Sequence, residues 1–400
     1  MADLREHPAA GVLRARTAVA VTFAVNGLAY GSFISRTPAI RDALGLSSAQ
    51  LGLLLLCLSA GSISGLPLAG VIVHRLGAAR TVFAGVVGVA IGLASLATGL
   101  VTGTVLPAAL GLLVFGLSTG VWDVAMNVEG ADVERRLGRS LMPRLHAAFS
   151  LGMVAGAGLG AGSAATGLPL ALQVGVVAAL LPVLMPVVVR HFLAGSGAPG
   201  ERKGGSGALT AWREPRTLLV GLLVLGFAFT EGSANDWIAV ALVDGYGTSE
   251  TVGAIAFGLF VGAMTIGRLF GTTVLDRFGR VAALRGTALL ALAGLLLVLL
   301  GGSTPVALVG AVLWGLGAAL GFPIGMSAAA DDPARAAARV AVVGSIGYTA
   351  FLAGPPLIGL LAEQAGILRG LFVVVGALAL GLLASGAARP LREPEDAPRP

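Results

Sequence analysis

The chain has 400 residues, of which 56% are hydrophobic and only 12% are charged, whereas about a quarter of the residues in an ordinary soluble domain carry a charge. Together with a mean hydropathy of +0.92, this composition excludes a single soluble domain and predicts an integral membrane protein. A helix needs about 20 residues to cross a bilayer, so with short connections the length accommodates roughly a dozen crossings.

Twelve apolar segments of suitable length occur in two groups of six. The first group covers residues 17–35, 51–73, 81–101, 105–128, 145–165 and 168–189, and the second covers 217–243, 252–275, 284–300, 305–329, 340–361 and 368–388. Residues 194–216 begin with a Gly/Ser-rich stretch without apolar periodicity, which is typical of a flexible linker. We therefore predict an all-α membrane protein. Its two six-helix bundles are formed by residues 17–193 and 217–388, with cytoplasmic tails at residues 1–16 and 389–400.

The glycine and cysteine content supports this interpretation. The chain contains 61 glycines, and small side chains let helix backbones approach closely in lipid. Its single cysteine, Cys57, excludes a disulfide framework. The first apolar segment is as long as the others, so we interpret it as a span rather than as a cleaved signal peptide.

The basic residues predict the orientation. If the N-terminus is cytoplasmic, only Arg36, Arg41 and Arg369 face outward and only Arg268 lies clearly within a span, which leaves nearly all of the 26 lysines and arginines inside. By the positive-inside rule both termini are cytoplasmic, and we expect a multi-pass protein of the inner (plasma) membrane. Because these charges are scattered among short loops, we expect no nucleic-acid binding.

The second half of the chain repeats features of the first half. GVIVHRLGAAR (70–80) follows the second span and TTVLDRFGR (272–280) follows the eighth. The fifth span contains SLG (150–152) where the eleventh contains SIG (345–347). This agreement predicts two pseudo-symmetric bundles, as in many transporters. The alternative is that both loops are ordinary Arg-Gly turns that obey the positive-inside rule.

On these residues the chain resembles the major facilitator superfamily over essentially its whole length. The resemblance rests on twelve spans, a linker after the sixth, and the loop pattern G-x-x-x-D-R-x-G-[RK]. It implies that the two loops act as inner gates, through Gly70, Arg75 and Gly77 in the first and Asp276, Arg277, Gly279 and Arg280 in the second. His74 replaces the Asp of the family in the first loop, so this gate is either disabled or dependent on pH.

Four further segments are similar to a bacterial branch that lies near the fucose-type sugar:proton symporters. They are WDVAMNVEG (122–130), LHAAFSLG (145–152), EGSANDW (231–237) and GYTAFLAGPPLIG (347–359). The fifth span also lacks the Gly-Pro signature of drug:proton antiporters. The resemblance implies alternating access, a central cavity lined by the first, fourth, seventh and tenth spans, and a role in proton coupling for an acid on the fourth span.

Three acidic residues lie within predicted spans, where an ionised side chain is costly and needs a reason. Glu231 lies near the middle of the seventh span, Asp236 lies nearer its outer end, and Asp123 lies toward the cytoplasmic end of the fourth. We expect these three residues to carry proton coupling. The alternatives are a structural hydrogen bond for Glu231, local pairing for Asp236, and pairing with the basic loop cluster for Asp123.

A second set of residues on the cavity-lining spans is neutral and polar or aromatic. We expect Asn26, Tyr30, Asn127, Asn235 and Trp314 to line the substrate cavity. Asn127 and Asn235 each follow an acid at the i+4 position, and therefore lie on the same helix face. A tryptophan can stack on a sugar ring or a cation, although simple packing is an equally good interpretation of Trp314.

These groups predict the kind of solute. They are acidic or neutral, and Arg268 is expected low on the eighth span, so a strongly anionic solute would lack a partner at mid-depth. We predict a secondary transporter for a small neutral polar or cationic solute, with a sugar-like compound favoured and with proton coupling. The alternative is a proton-driven exporter of amphiphilic or cationic compounds. A membrane sensor is less favoured, because the linker and tail are too short and polar to fold.

Catalytic signals are missing from the sequence. The four histidines show no HExxH or paired-His spacing, and no Walker-type phosphate-binding loop occurs. We therefore expect no enzyme activity, no cofactor and no metal site. The expected partners are a small-molecule solute, protons and the lipid bilayer, and we expect the chain to work as a monomer.

Overall fold

The structure is a computed structural model that describes residues 10–138, 141–193, 208–332 and 335–390. Within those ranges the chain is helical and contains no β-strand. The helices are α1 (Ala10–Ile34), α2 (Thr37–Leu44), α3 (Ser48–Leu76), α4 (Ala78–Thr102), α5 (Val105–Leu137), α6 (Met142–Ala165), α7 (Leu170–Val189), α8 (Ala208–Ala211), α9 (Pro215–Tyr246), α10 (Glu250–Leu300), α11 (Thr304–Ala318), α12 (Gly321–Ala329), α13 (Ala336–Ala365), α14 (Ile367–Gly370) and α15 (Phe372–Ala384).

The described residues form twelve spans, as predicted. Eleven helical segments are long and apolar enough to cross a membrane. One of them, α10, has 51 residues, which as a single straight helix would extend about 75 Å, roughly twice what a bilayer requires. Non-helical backbone angles at Gly279 divide it into the eighth and ninth spans. The tenth span consists of α11 with α12, and the twelfth of α14 with α15.

The ends of some elements differ from the prediction. The first helix begins at Ala10 rather than at residue 17, because the apolar pattern does not show the polar turns at its start. The predicted linker 194–216 contains the short helix α8 and the first two residues of α9. Residues 1–9, 194–207 and 391–400, which include most of the predicted tails and linker, lie outside the described residues.

Two glycines in corresponding loops adopt the same unusual backbone conformation. Gly77 joins α3 to α4 with φ 78° and ψ 163°, and Gly279 lies at the break in α10 with φ 74° and ψ 166°. This region of backbone space is almost restricted to glycine. The Arg-x-Gly pattern therefore forms the same tight turn in both halves of the molecule.

Glycines also allow close helix packing within the first bundle. A Cβ atom at Gly27 would collide with the carbonyl oxygen of Phe149 on α6, and one at Gly152 would collide with that of Ala24 on α1. A Cβ atom at Gly116 on α5 would likewise collide with Leu58 on α3. The helices approach until their backbones touch, as small residues permit in lipid.

The two bundles meet through α3 with α13 and through α6 with α10. We call the end of the molecule that carries α2 and the α9–α10 turn the outer end, and the opposite one the basic end. Near the outer end Gly52 packs against Pro355, and Gly258 packs against Ala157. These contacts leave little space between the bundles on that side.

Two inter-bundle ion pairs, which we call the outer latch, close the same end. Arg36 is 5% exposed, and its Nη2 lies 2.7 Å from Oε2 of Glu250. Arg41 pairs with Asp244. In addition, the backbone N–H of Ala49 donates to Glu363 across the interface. Among the described residues, every hydrogen bond or ion pair that joins the two bundles lies at this end.

The close packing at Gly152 gives a first prediction. We expect Gly152→Ala to lower the thermal stability of the purified protein, since overpacking a filled interface costs about 1–3 kcal/mol. The matched control is Gly158→Ala on the same helix, where an added Cβ meets no atom within 4 Å. Equal melting temperatures for the two variants in one detergent would contradict this account of the interface.

The outer latch gives a second prediction. We expect the double variant Arg36→Gln/Arg41→Gln to open the outer end, because both inter-bundle ion pairs are then lost. Spin labels on Ala43→Cys and Ser249→Cys, both at exposed positions, report the separation by double electron–electron resonance in a Cys57→Ser background.

The control for the latch is Asp42→Asn, which removes an exposed partner of Arg41 within the first bundle. The latch variant should add a longer distance to the distribution, and the control should leave it unchanged. A distribution that is the same in the wild type and the latch variant would show that the ion pairs do not hold the outer end closed.

Candidate functional site

A charge pair lies inside the second bundle, between α9 and α10. Nη2 of Arg268 lies 2.9 Å from both carboxylate oxygens of Glu231. The two side chains are 37% and 17% exposed, respectively. Arg268 was expected low on the eighth span, and its pairing with Glu231 was not predicted: its long side chain reaches the Glu231 carboxylate.

Asp236 lies one and a half turns further along α9 and, unlike Glu231, is not paired with an arginine of the described residues. It is 8% exposed, and its carboxylate makes no hydrogen bond or ion pair with any described residue. Asp236 and Glu231 both lie close enough to Tyr30 of the first bundle for their charges to act on its hydroxyl group.

Asp123 supplies a third acid, from the other side of the interface. The Asn127 amide donates to the Asp123 backbone carbonyl at 2.8 Å and to Oδ1 at 3.3 Å, so both side chains lie on one face of α5. Asp123 also interacts electrostatically with His146 on α6 and with Tyr348 on α13 of the second bundle. Within the described ranges it forms no ion pair with an arginine.

Sequence reasoning did not include His146 and Tyr348 among the site residues. His146 stacks against Phe23 with ring centroids 5.4 Å apart, and its Nδ1 lies 3.0 Å from the carbonyl oxygen of Met142. Tyr348 is 40% exposed. Only the segments LHAAFSLG and GYTAFLAGPPLIG, noted for their resemblance, pointed to them.

The remaining predicted cavity residues are less open. Asn26 is 1% exposed, and its amide contacts the Met126 sulfur at 3.8 Å inside the first bundle. The side-chain oxygen of Asn235 is buried without a hydrogen-bond partner. Trp314 is fully buried and packs edge-on against Phe260. Trp314 thus does not line an open surface, because its face of the tenth span is turned into the second bundle.

We call Tyr30, Asp123, His146, Glu231, Asp236, Arg268 and Tyr348 the central site. Glu231 and Arg268 compensate each other in charge, while Asp123 and Asp236 have no arginine partner among the described residues. An uncompensated carboxylate away from water is costly, so a proton or a cationic group is favoured beside it. Within the part of the chain that the structure describes, no group of three potential metal ligands occurs.

The predicted inner gate residues lie at the basic end, where no ion pair between described residues joins the bundles. In the first loop, Gly70 and Gly77 have open space around the Cα atom, and Arg75 forms no ion pair with a described residue. In the second loop, Asp276 is exposed and unpaired within the described ranges, and Arg277 lies over the Phe278 ring. The gate interaction implied by the family resemblance is therefore not formed at Asp276.

A different acid, Asp331 at the end of α12, holds the second loop. Its Oδ1 lies 2.6 Å from Arg280 and its Oδ2 lies 2.8 Å from Arg216. Asp331 was not among the predicted gate residues, although an acid that directly follows an apolar span is visible in the sequence. Nearby, hydrogen bonds led by the one from Arg339 lower the pKa of Glu214. All of these contacts lie within the second bundle.

Comparisons with known proteins agree with this architecture. The family model of the Major Facilitator Superfamily matches residues 19–347 and 237–400. The chain is 32% identical to an uncharacterized MFS-type transporter of Yersinia pestis over 92% of this chain and 93% of that protein. It is 34% identical to an uncharacterized transporter of Sinorhizobium fredii over 90% and 94% of the two chains.

Solved structures show the same fold at low sequence identity. The nucleoside transporter NupG superposes with a TM-score of 0.74 at 14% identity over 94% of this chain and 98% of that chain. A single-residue mutant of the fucose:proton symporter FucP of E. coli gives a TM-score of 0.62 at 16% identity over the same shares. The chain therefore belongs to the major facilitator superfamily, whose members are membrane transporters and not enzymes.

Proposed function

We propose that the protein moves a small neutral polar or cationic solute by alternating access, driven by protons, and that a sugar-like compound is the best candidate. The observation that carries this proposal is a pair of acids, Asp123 in the first bundle and Asp236 in the second, neither of which forms an ion pair with an arginine of the described residues. A strongly anionic solute would be repelled by these acids, because the arginine of the central site is already paired with Glu231.

The distribution of charge among Asp236, Glu231 and Arg268 suggests where a proton binds. Asp236 lacks a cationic partner, so binding a proton there removes a costly buried charge before the bundles rearrange. Glu231, in contrast, is paired with Arg268. A cationic solute would compete with Arg268 for Glu231, whereas hydroxyl groups could accept from Arg268 or donate to the acids without separating the pair.

Ion pairs between the bundles close the outer end, and no ion pair between described residues joins the bundles at the basic end. This arrangement supports alternating access, with the present conformation open toward the basic end. We place the basic end in the cytoplasm by the positive-inside rule. In this orientation the central site exchanges with the cytoplasm, and opening of the outer latch exposes it to the opposite side. Uptake is the first choice of direction, from the similarity to FucP, and export of an amphiphilic or cationic compound is the alternative.

Proteoliposome flux tests the coupling. Labelled monosaccharides, polyols and amino sugars are offered under an imposed pH gradient, and we expect one class to accumulate. Asp236→Asn should abolish this accumulation, because the proton has no carboxylate to bind, while solute exchange without a gradient persists. Asp42→Asn removes an exposed acid and should retain both activities.

Two results of this flux assay would contradict the proposal. One is that no solute class responds to the pH gradient with the wild-type protein. The other is that Asp236→Asn accumulates solute as the wild type does, which would assign the proton to another group. The sign of the gradient that drives accumulation also distinguishes symport from proton-driven export.

The Glu231–Arg268 pair gives a separate prediction. Glu231→Gln leaves a guanidinium without its carboxylate, which costs more than losing both partners. We therefore expect Glu231→Gln to lower the melting temperature more than Glu231→Gln/Arg268→Gln does. Additive effects of the two single substitutions on the melting temperature would show that the pair is not coupled.

A further inference from the structure

A groove of about 490 Å³ lies at the basic end, between the start of α1 and the end of α7. Its walls include the partly exposed side chains of Leu13, Val21 and Val187. Arg14, Arg16 and His191 lie at the same groove. Apolar walls and basic groups are thus combined where the first span begins and the sixth ends.

The basic groups of this groove are not neutralised by the protein. Neither Arg14 nor Arg16 forms an ion pair or a side-chain hydrogen bond with a described residue. Nδ1 of His191 lies 3.0 Å from the carbonyl oxygen of Val187, which leaves Nε2 as its other hydrogen-bonding atom. Within the described residues the groove therefore offers two free guanidinium groups.

The second bundle provides an internal comparison. Arg216 precedes Thr217 at the start of α9, just as Arg16 precedes Thr17 in α1. Arg216 is fully occupied: it pairs with Asp331 at 2.8 Å and donates to the carbonyl oxygens of Ala387 and Arg389. Among the described residues, the corresponding position of the first bundle has no such acid, so its guanidinium groups are available to an anion from outside the chain.

We propose that this groove binds an anionic phospholipid. Guanidinium groups bind phosphate with charge-assisted hydrogen bonds, and basic pockets between spanning helices suit acidic lipid headgroups. The valine and leucine walls lie beside the charges and can contact an acyl chain. A soluble phosphate compound would use only the arginines and leave these walls exposed.

Native mass spectrometry of the purified full-length protein tests the proposal, with phosphatidylglycerol and phosphatidylcholine of identical acyl chains in equal amounts. The wild type should retain phosphatidylglycerol preferentially. Arg14→Gln/Arg16→Gln should reduce this preference about thirtyfold, since each basic residue near an anionic lipid contributes about 1 kcal/mol. Arg14→Lys/Arg16→Lys should keep most of it, because the charge is retained.

The matched control is Arg80→Gln/Arg213→Gln, which removes two exposed arginines outside the groove. It should bind the lipid as the wild type does, and equal melting temperatures without added lipid would confirm that both double variants fold. The proposal is overturned if the wild type does not prefer phosphatidylglycerol, or if both glutamine variants lose the preference equally. It is also overturned if inorganic phosphate alone displaces the lipid, since the site would then recognise phosphate only.

Discussion

The cost of an unpaired carboxylate between two tightly packed helical bundles is the constraint on which the rest of this structure depends. Glu231 meets that cost with Arg268, whereas Asp236 and Asp123 have no such partner among the described residues. The two acids without an arginine partner belong to different bundles, since Asp123 lies on α5 and Asp236 lies on α9. Any movement of the bundles therefore changes the surroundings of a charge.

The helix contacts within the first bundle differ from the contacts between the two bundles. Within the first bundle, glycines bring backbones into contact, so α1 with α6 and α3 with α5 form solid units. Between the bundles, polar contacts of the described residues are confined to the outer end. The outer end also contains glycine packing between the bundles, of Gly52 against Pro355, whereas no hydrogen bond or ion pair between described residues joins the bundles at the basic end. This contrast favours rocking of whole bundles over local unfolding.

The fold was predictable from the sequence because each span is set by a local apolar run, and the paired loops are set by glycines that alone tolerate their backbone angles. The central site was predictable only in part. Depth along a helix indicated Glu231, Asp236 and Asp123, but the partner of Glu231 depends on how α9 packs against α10, which no local pattern encodes. The same limit explains Trp314, for which the sequence left cavity lining and simple packing equally open and the structure shows packing.

The central claim is that Asp236 takes up a proton at the bundle interface. Infrared difference spectroscopy of the reconstituted protein between acidic and alkaline pH measures this directly, through the C=O stretch of a protonated carboxyl group. We predict that one component of this band, present in the wild type and in Glu231→Gln, is missing from the spectrum of Asp236→Asn, while the contribution of the other carboxyl groups remains. A band that persists unchanged in Asp236→Asn would contradict the account, because the proton would then reside on a different carboxyl group.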